Sequence, residues 1–156
     1  MLRSAHMLGN EEEIIFAATD LLADTKLAPE LSNEAHYYRA KAYLDAGKTD
    51  GAMEDLKVLA KDTRNVYGAE AKYKVAQIYF DGGQTDKAEQ EVLNYIEVST
   101  PHTYWLARSF VLLSDVYVAM GKDLDARQYL LSLQQNYQGN DDIESMIEDR
   151  LKKLNK

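Results

Sequence analysis

The chain has 156 residues, a net charge of −8 and no cysteine. Its length allows one domain with a sizeable core, and the missing cysteines exclude a disulfide framework and a thiolate metal site. The excess of 26 acidic over 18 basic residues disfavours binding to a nucleic-acid backbone, and no apolar run approaches the roughly 18 residues that a membrane helix needs.

Helix-favouring residues dominate the chain, which has only two prolines and eight glycines. In chain order, the apolar spacing predicts eight helices, near 10–24, 33–46, 49–62, 66–81, 85–98, 102–120, 123–137 and 141–154. The last helix carries an apolar stripe, acids at its start and basic residues at its end, which complements the helix dipole. We expect this helix to cap the preceding ones.

A short pattern recurs three times along these helices, every 36 to 38 residues. A small residue, a tyrosine, a glycine and an alanine stand at fixed offsets: Ala40, Tyr43, Gly47, Ala52; Ala76, Tyr79, Gly83, Ala88; Ser114, Tyr117, Gly121, Ala126. The glycines can adopt the left-handed conformation that reverses a chain after a helix. The alanines allow two helices to cross closely, and the tyrosines are predicted to be core residues. Two residues after each glycine, Thr49, Thr85 and Asp123 are predicted to cap the next helix.

This pattern resembles the tetratricopeptide repeat, a helix–turn–helix unit of about 34 residues. The resemblance implies an all-α fold, an α-solenoid of antiparallel helix pairs forming a superhelix, with a C-terminal capping helix. It divides a single domain into a partial repeat at 1–31, repeats at 32–65, 66–101 and 102–139, and the capping helix at 140–156.

The partial repeat opens with a first helix shortened to residues 1–8. A chain that begins halfway through a repeat is expected to be the C-terminal part of a larger protein of this kind. The alternative is a naturally degenerate N-terminal cap, since terminal repeats of such arrays are atypical.

Motifs of catalysis and of cofactor binding are incomplete. The segment 47–49, Gly-Lys-Thr, imitates the end of a phosphate-binding loop, but Ala42 stands where that loop needs a glycine. The three histidines, His6, His36 and His102, lack metal-binding spacing, and His36 is predicted to be a partly buried core residue. We therefore expect no enzymatic activity, no cofactor and no metal.

Repeats of this family usually bind other proteins, and the first helix of each pair lines a concave groove. The candidate partner-binding residues on that face are Tyr37, Lys41, Leu44, Tyr73, Gln77, Phe80, Asp81 and Asp115. The same face is predicted to carry Glu34, Glu70, Arg108, Val111 and Val118. This groove is aromatic and mildly acidic, so the expected ligand is an apolar or basic peptide-like segment. The alternative is that these side chains only pack against neighbouring first helices.

The predicted function is thus a non-enzymatic scaffold for protein–protein interaction. One alternative is a structural assembly or oligomerisation segment of a bacterial cell-envelope protein, without a groove ligand, and another is an accessory domain of an enzyme. The repeat spacing is similar to that of bacterial envelope-assembly and cell-division coordinator proteins, which favours the periplasm or envelope over the cytoplasm. A protein or peptide partner is expected, without nucleic acid or direct membrane insertion, and the oligomeric state is left open.

Overall fold

The computed structural model describes residues 10–98 and 100–155. These residues form eight α-helices and no strand: α1 Glu11–Leu22, α2 Pro29–Asp45, α3 Thr49–Leu59, α4 Val66–Asp81, α5 Thr85–Glu97, α6 Thr103–Ala119, α7 Asp123–Asn136 and α8 Ile143–Leu154. The all-α prediction is confirmed. The predicted short helix over 1–8, with His6, lies outside the described residues.

Helix α2 begins at Pro29, four residues before the predicted start at 33. Proline is favoured in the first turn of a helix, because the N–H that it lacks would have no intrahelical partner there. Helices α1 and α3 end at Leu22 and Leu59, two or three residues earlier than predicted.

The contacts divide the chain into two compact units, Met1–Lys72 (unit 1) and Tyr73–Lys156 (unit 2). In unit 1, α2 packs against both α1 and α3. In unit 2, α6 packs against α5 and α7, while α8 contacts both α6 and α7. Consecutive helices therefore pack against each other, as in a helical repeat. The repeat boundaries given above stay a prediction.

The glycines of the recurring pattern reverse the chain as predicted. Their φ angles are +76°, +79° and +77° at Gly47, Gly83 and Gly121, the left-handed region that favours glycine. The backbone N–H after each glycine donates to the carbonyl of the repeat tyrosine: Lys48 to Tyr43 at 2.7 Å, Gln84 to Tyr79 at 2.8 Å, and Lys122 to Tyr117 at 2.8 Å. This bond closes each first helix in the way that defines a Schellman motif.

The predicted helix caps were wrong by one position. Thr49, Thr85 and Asp123 are the first helical residues of α3, α5 and α7, and the cap positions hold Lys48, Gln84 and Lys122 without a side-chain capping bond. The three helices start at residues 49, 85 and 123, as predicted. The cap position therefore falls on the residue before, directly after the glycine, where the turn ends. Each of these helices instead has an acidic residue in its first turn, and this negative charge interacts favourably with the positive end of the helix dipole.

The alanines of the pattern are buried. Ala52, Ala88 and Ala126 are 0% exposed, as a position at a close helix crossing requires, and the crossing itself stays a prediction. Of the repeat tyrosines, Tyr117 is buried, whereas Tyr43 and Tyr79 are half-buried, so the core prediction is only partly right for them.

Enlarging Ala88 should destabilise unit 2. Ala88 packs in one cluster with Val92 and Val116 and is 0% exposed. We expect Ala88→Leu to lower the free energy of unfolding by about 1–3 kcal/mol through overpacking. Denaturant unfolding followed by helical circular dichroism measures this, with Gln90→Leu on the exposed side of α5 as the matched control. An Ala88→Leu midpoint equal to that of the parent would contradict the crossing assigned to Ala88.

Candidate partner-binding face

In unit 1, the candidates on α2 surround one tyrosine ring. The Lys41 ammonium lies 5.2 Å from the centroid of the Tyr37 ring and donates to its hydroxyl at 3.4 Å. On the other side, the Tyr37 ring lies 4.6 Å from that of Tyr67, and its hydroxyl donates to the Glu70 carboxylate at 3.1 and 3.2 Å. Tyr37 is therefore held against the next first helix, α4, rather than standing open as an anchor. Leu44 is half-buried near the end of α2.

The environment of Tyr37 keeps its hydroxyl protonated. Burial raises the pKa of Tyr37, and the negative charge and hydrogen-bond acceptor of Glu70 raise it further. The hydroxyl is thus a lasting donor to Glu70.

In unit 2, three candidates form a row along α4. The Tyr73 hydroxyl donates to Gln77 Oε1 at 3.0 Å, and Gln77 Nε2 donates to Asp81 Oδ1 at 2.8 Å. Each step is four residues, which places the three side chains on one helix face. Exposure rises along the row, from 7% at Tyr73, through half-buried Gln77, to exposed Asp81. The row is therefore closed to a partner at its Tyr73 end and most open at its Asp81 end.

Arg108 of α6 lies over the buried end of this row. Its guanidinium carbon is 4.8 Å from the centroid of the Tyr73 ring and 5.6 Å from that of the Trp105 ring. Arg108 Nη2 also donates a hydrogen bond to the Tyr73 hydroxyl at 3.3 Å. The contact is a cation–π arrangement that joins α4 and α6. Tyr73 thus contacts the neighbouring first helix, the arrangement that the packing alternative describes. Val111, also expected on this face, is buried in the core.

Asp115 of α6 is paired with the C-terminal helix. Its two carboxylate oxygens accept from Arg150 Nε at 3.1 Å and from Arg150 Nη2 at 3.2 Å. Such a two-point contact between a guanidinium and a carboxylate is strong and geometrically specific. The Asp115 carboxylate is consequently not a free negative charge on this face.

A cleft of about 530 Å³ opens beside this ion pair. The lining side chains that matter most come from four helices of unit 2: Phe80, Asp115, Val118, Asp123, Arg150 and Leu154. Phe80 and Leu154 are half-buried, and Val118 is 45% exposed. Two candidates, Phe80 and Asp115, are thus brought together at one accessible site, whereas Tyr37, Lys41 and Leu44 belong to unit 1.

Sequence reasoning missed the contribution of α7 and α8 to this cleft. Arg150 was interpreted only as a complement to the helix dipole, and Asp123 only as a helix cap. Because α8 follows the last repeat, the recurring pattern contains no register position that points to Arg150 or Leu154. For the contact of Arg108 with Tyr73, the sequence did contain a signal. Arg108 occupies the repeat position that Glu34 and Glu70 occupy in the earlier copies, so the charge at this position is reversed.

A buried ion cluster in unit 1 fixes α2, the helix that carries Tyr37 and Lys41. Asp55 of α3 is 1% exposed and accepts from His36 Nδ1 at 2.7 Å, Arg39 Nε at 2.8 Å and Arg39 Nη2 at 2.6 Å. Burial favours a higher pKa for Asp55, but the hydrogen bonds from His36 and Arg39 outweigh it and hold the pKa below its usual value. His36 is partly buried, as predicted, and its partner Asp55 was not foreseen.

Two kinds of feature are absent from the part of the chain that the structure describes, a cluster of metal-ligating side chains and a membrane-spanning helix. Among those residues, no three side chains of His, Cys, Asp or Glu are grouped so that they could hold a metal ion. No helix within the same residues has the length and apolar character to cross a membrane.

Comparison with known proteins gives one result. Residues 34–62 match the family model described as tetratricopeptide repeat. The matched segment covers most of α2 and the whole of α3, the helix pair that the Asp55 cluster joins. No curated protein and no solved structure matched the chain.

Proposed function

We propose that the chain is a non-enzymatic scaffold, because residues 34–62 match the tetratricopeptide repeat family model and such repeats generally mediate protein–protein interaction. Its partner is a protein that presents an apolar or basic peptide-like segment to the face formed by the first helices. Lys41 and Leu44 are the candidate contacts of unit 1, and Gln77, Phe80 and Asp81 are those of unit 2.

The cleft beside Phe80 is the observation that carries this proposal. It combines an accessible volume of about 530 Å³ with apolar side chains that water would otherwise cover. Clefts of about 300–1,000 Å³ lined mainly by apolar side chains are the usual places where proteins hold ligands. Val118, 45% exposed at the cleft, offers apolar surface that a partner segment would bury.

Truncating Phe80 is the direct test of the proposal. Loss of an aromatic anchor at the centre of an interface often costs about 2 kcal/mol or more, which is roughly a 30-fold weaker Kd. We expect Phe80→Ala to lose the partner that the parent captures from extracts of its source cells, while the helical signal stays near that of the parent. Tyr73→Ala is unsuitable as a companion, because Tyr73 is 7% exposed and its truncation would test packing.

The matched control is Leu124→Ala, which removes a large apolar side chain, 77% exposed, from the second helix α7. We expect this variant to capture the partner as the parent does. Capture that survives in Phe80→Ala and disappears in Leu124→Ala would move the interface to the second helices and refute the proposal.

The same α7 surface supports a second candidate function, self-assembly without a groove ligand. Leu124 and Leu131 are seven residues apart on one side of α7 and are 77% and 41% exposed. Exposed apolar side chains in such a stripe can pack against another helix. Groove binding predicts that Phe80→Ala loses its interaction, whereas self-assembly through α7 predicts that Leu124→Ala does. The same pair of variants therefore separates the two functions.

A further inference from the structure

We propose that the cleft of unit 2 takes a large apolar side chain of the partner segment together with an adjacent lysine or arginine, and that Asp123 binds this cation. The inference rests on the function proposed above and adds the chemical class of the partner. It also separates the roles of the two carboxylates at the cleft.

The apolar part of the partner is defined by three side chains. Phe80, Val118 and Leu154 approach the cleft from α4, α6 and α8. Phe80 and Leu154 also pack against the core cluster of unit 2, and this packing holds them in position. A rigid apolar wall of this kind matches one large apolar side chain better than a polar one, which would lose its bonds to water there.

The basic part of the partner follows from the charges that line the cleft, which are Asp115, Asp123, Arg150 and Lys153. Asp115 and Arg150 neutralise each other through their two-point contact. The Lys153 ammonium lies 3.3 Å from the carboxylate of Asp149 on the same helix. Among the described residues, Asp123 is then the lining charge with no ion-pair partner, and its side chain is exposed.

The uncompensated charge of the cleft is therefore negative, in a chain whose net charge is −8. An acidic segment would meet repulsion from Asp123, whereas a lysine or arginine would pair with it. Charge complementarity at the rim of an interface contributes mainly to the association rate and to specificity. The apolar side chain supplies affinity, and Asp123 selects the segment whose neighbouring residue is basic.

The test is selection of peptides from a random display library on the immobilised 156-residue chain, with counter-selection on Phe80→Ala. We expect the enriched peptides to carry a large apolar residue beside a lysine or arginine. The best peptide is then synthesised, and its Kd is measured for the parent, for Asp123→Asn and for Asp125→Asn. Asp125 is the matched control, because it is an exposed acid in the same first turn of α7 but does not line the cleft.

Asp123→Asn should raise the Kd about fivefold, the upper range for one exposed ion pair, and should reduce its dependence on salt. Asp125→Asn should leave the Kd within about twofold of the parent, since more distant exposed charges are screened. Peptides that are lost on Phe80→Ala but show no basic preference, or that bind Asp123→Asn and Asp125→Asn equally well, would overturn this inference and leave the proposed function standing. Peptides that persist on Phe80→Ala, or a library without binders, would overturn the proposed function and the inference with it.

Discussion

Replacing Asp55 with alanine is expected to lower the free energy of unfolding of unit 1 by about 3 kcal/mol. The variant leaves His36 and Arg39 without the carboxylate that accepts from both, at distances of 2.6–2.8 Å. Removing one member of a buried ion pair costs about 3–5 kcal/mol, because a charge then stays buried and uncompensated. The lower end applies here, since the side chains of His36 and Arg39 are 15% and 18% exposed and can partly turn to water.

Denaturant unfolding of the full chain measures this loss. Glu54→Ala is the matched control, because Glu54 precedes Asp55 on α3 and is exposed. Its free energy of unfolding should stay within about 0.5 kcal/mol of the parent. Equal unfolding midpoints for Asp55→Ala and Glu54→Ala would show that the ion cluster does not hold α2 on α3.

The Asp55 carboxylate also makes the free energy of unfolding depend on pH in the acid range. The pKa of Asp55 is lower in the folded chain than its usual value of 3.8. A group with a depressed folded pKa contributes stability above its unfolded pKa and loses that contribution as the pH falls through the folded pKa. The parent should therefore lose the Asp55 contribution below about pH 4, whereas Asp55→Asn, which cannot titrate, should show a smaller loss over the same range.

The fold was largely predictable from the sequence because its signals are local. Gly47, Gly83 and Gly121 each mark a position where the backbone must be left-handed, and only glycine takes that conformation cheaply. Ala52 and Ala88 mark fully buried positions in the same way. Each requirement involves a few neighbouring residues, so a recurring spacing reveals it. The caps were misplaced although the helix starts were right, because the turn ends on the residue directly after each glycine and that residue takes the cap position.

The candidate site was less predictable because it depends on contacts distant in sequence. Asp115 and Arg150 are 35 residues apart, and His36 and Asp55 are 19 apart. A helix face shows which side chains point the same way, but it does not show which of them a later helix will neutralise. Asp115 was therefore expected to be an unpaired acid on the groove face. For Tyr37 and Tyr73, both exposure in the groove and packing against a neighbouring helix were left open. Both tyrosines contact the neighbouring first helix, and Phe80 is the aromatic candidate that lines the cleft.

Removing α8 by ending the chain at Asn140 is expected to cause association or loss of solubility. Ile143 and Ile147 of α8 are 0% and 2% exposed and pack in one cluster with residues of α6 and α7. Without α8, the partner side chains Ala107, Val111, Leu130 and Leu133 of this cluster would face water. Terminal units of repeat proteins need a cover with a polar outer face for solubility, and large exposed apolar patches promote aggregation. Sedimentation velocity measures the association.

A point variant tests the same role of α8 without deleting chain. Ile147→Ala should lower the free energy of unfolding of unit 2 by about 2–5 kcal/mol, the range for truncating a fully buried isoleucine or leucine. Glu148→Ala, at the neighbouring exposed position, should leave it nearly unchanged. Arg150 on the same helix pairs with Asp115 and lines the cleft. Loss of α8 packing should therefore also weaken the binding of any ligand to the cleft. A shortened chain that stays monomeric and melts like the parent would show that α8 does not cover the core of unit 2.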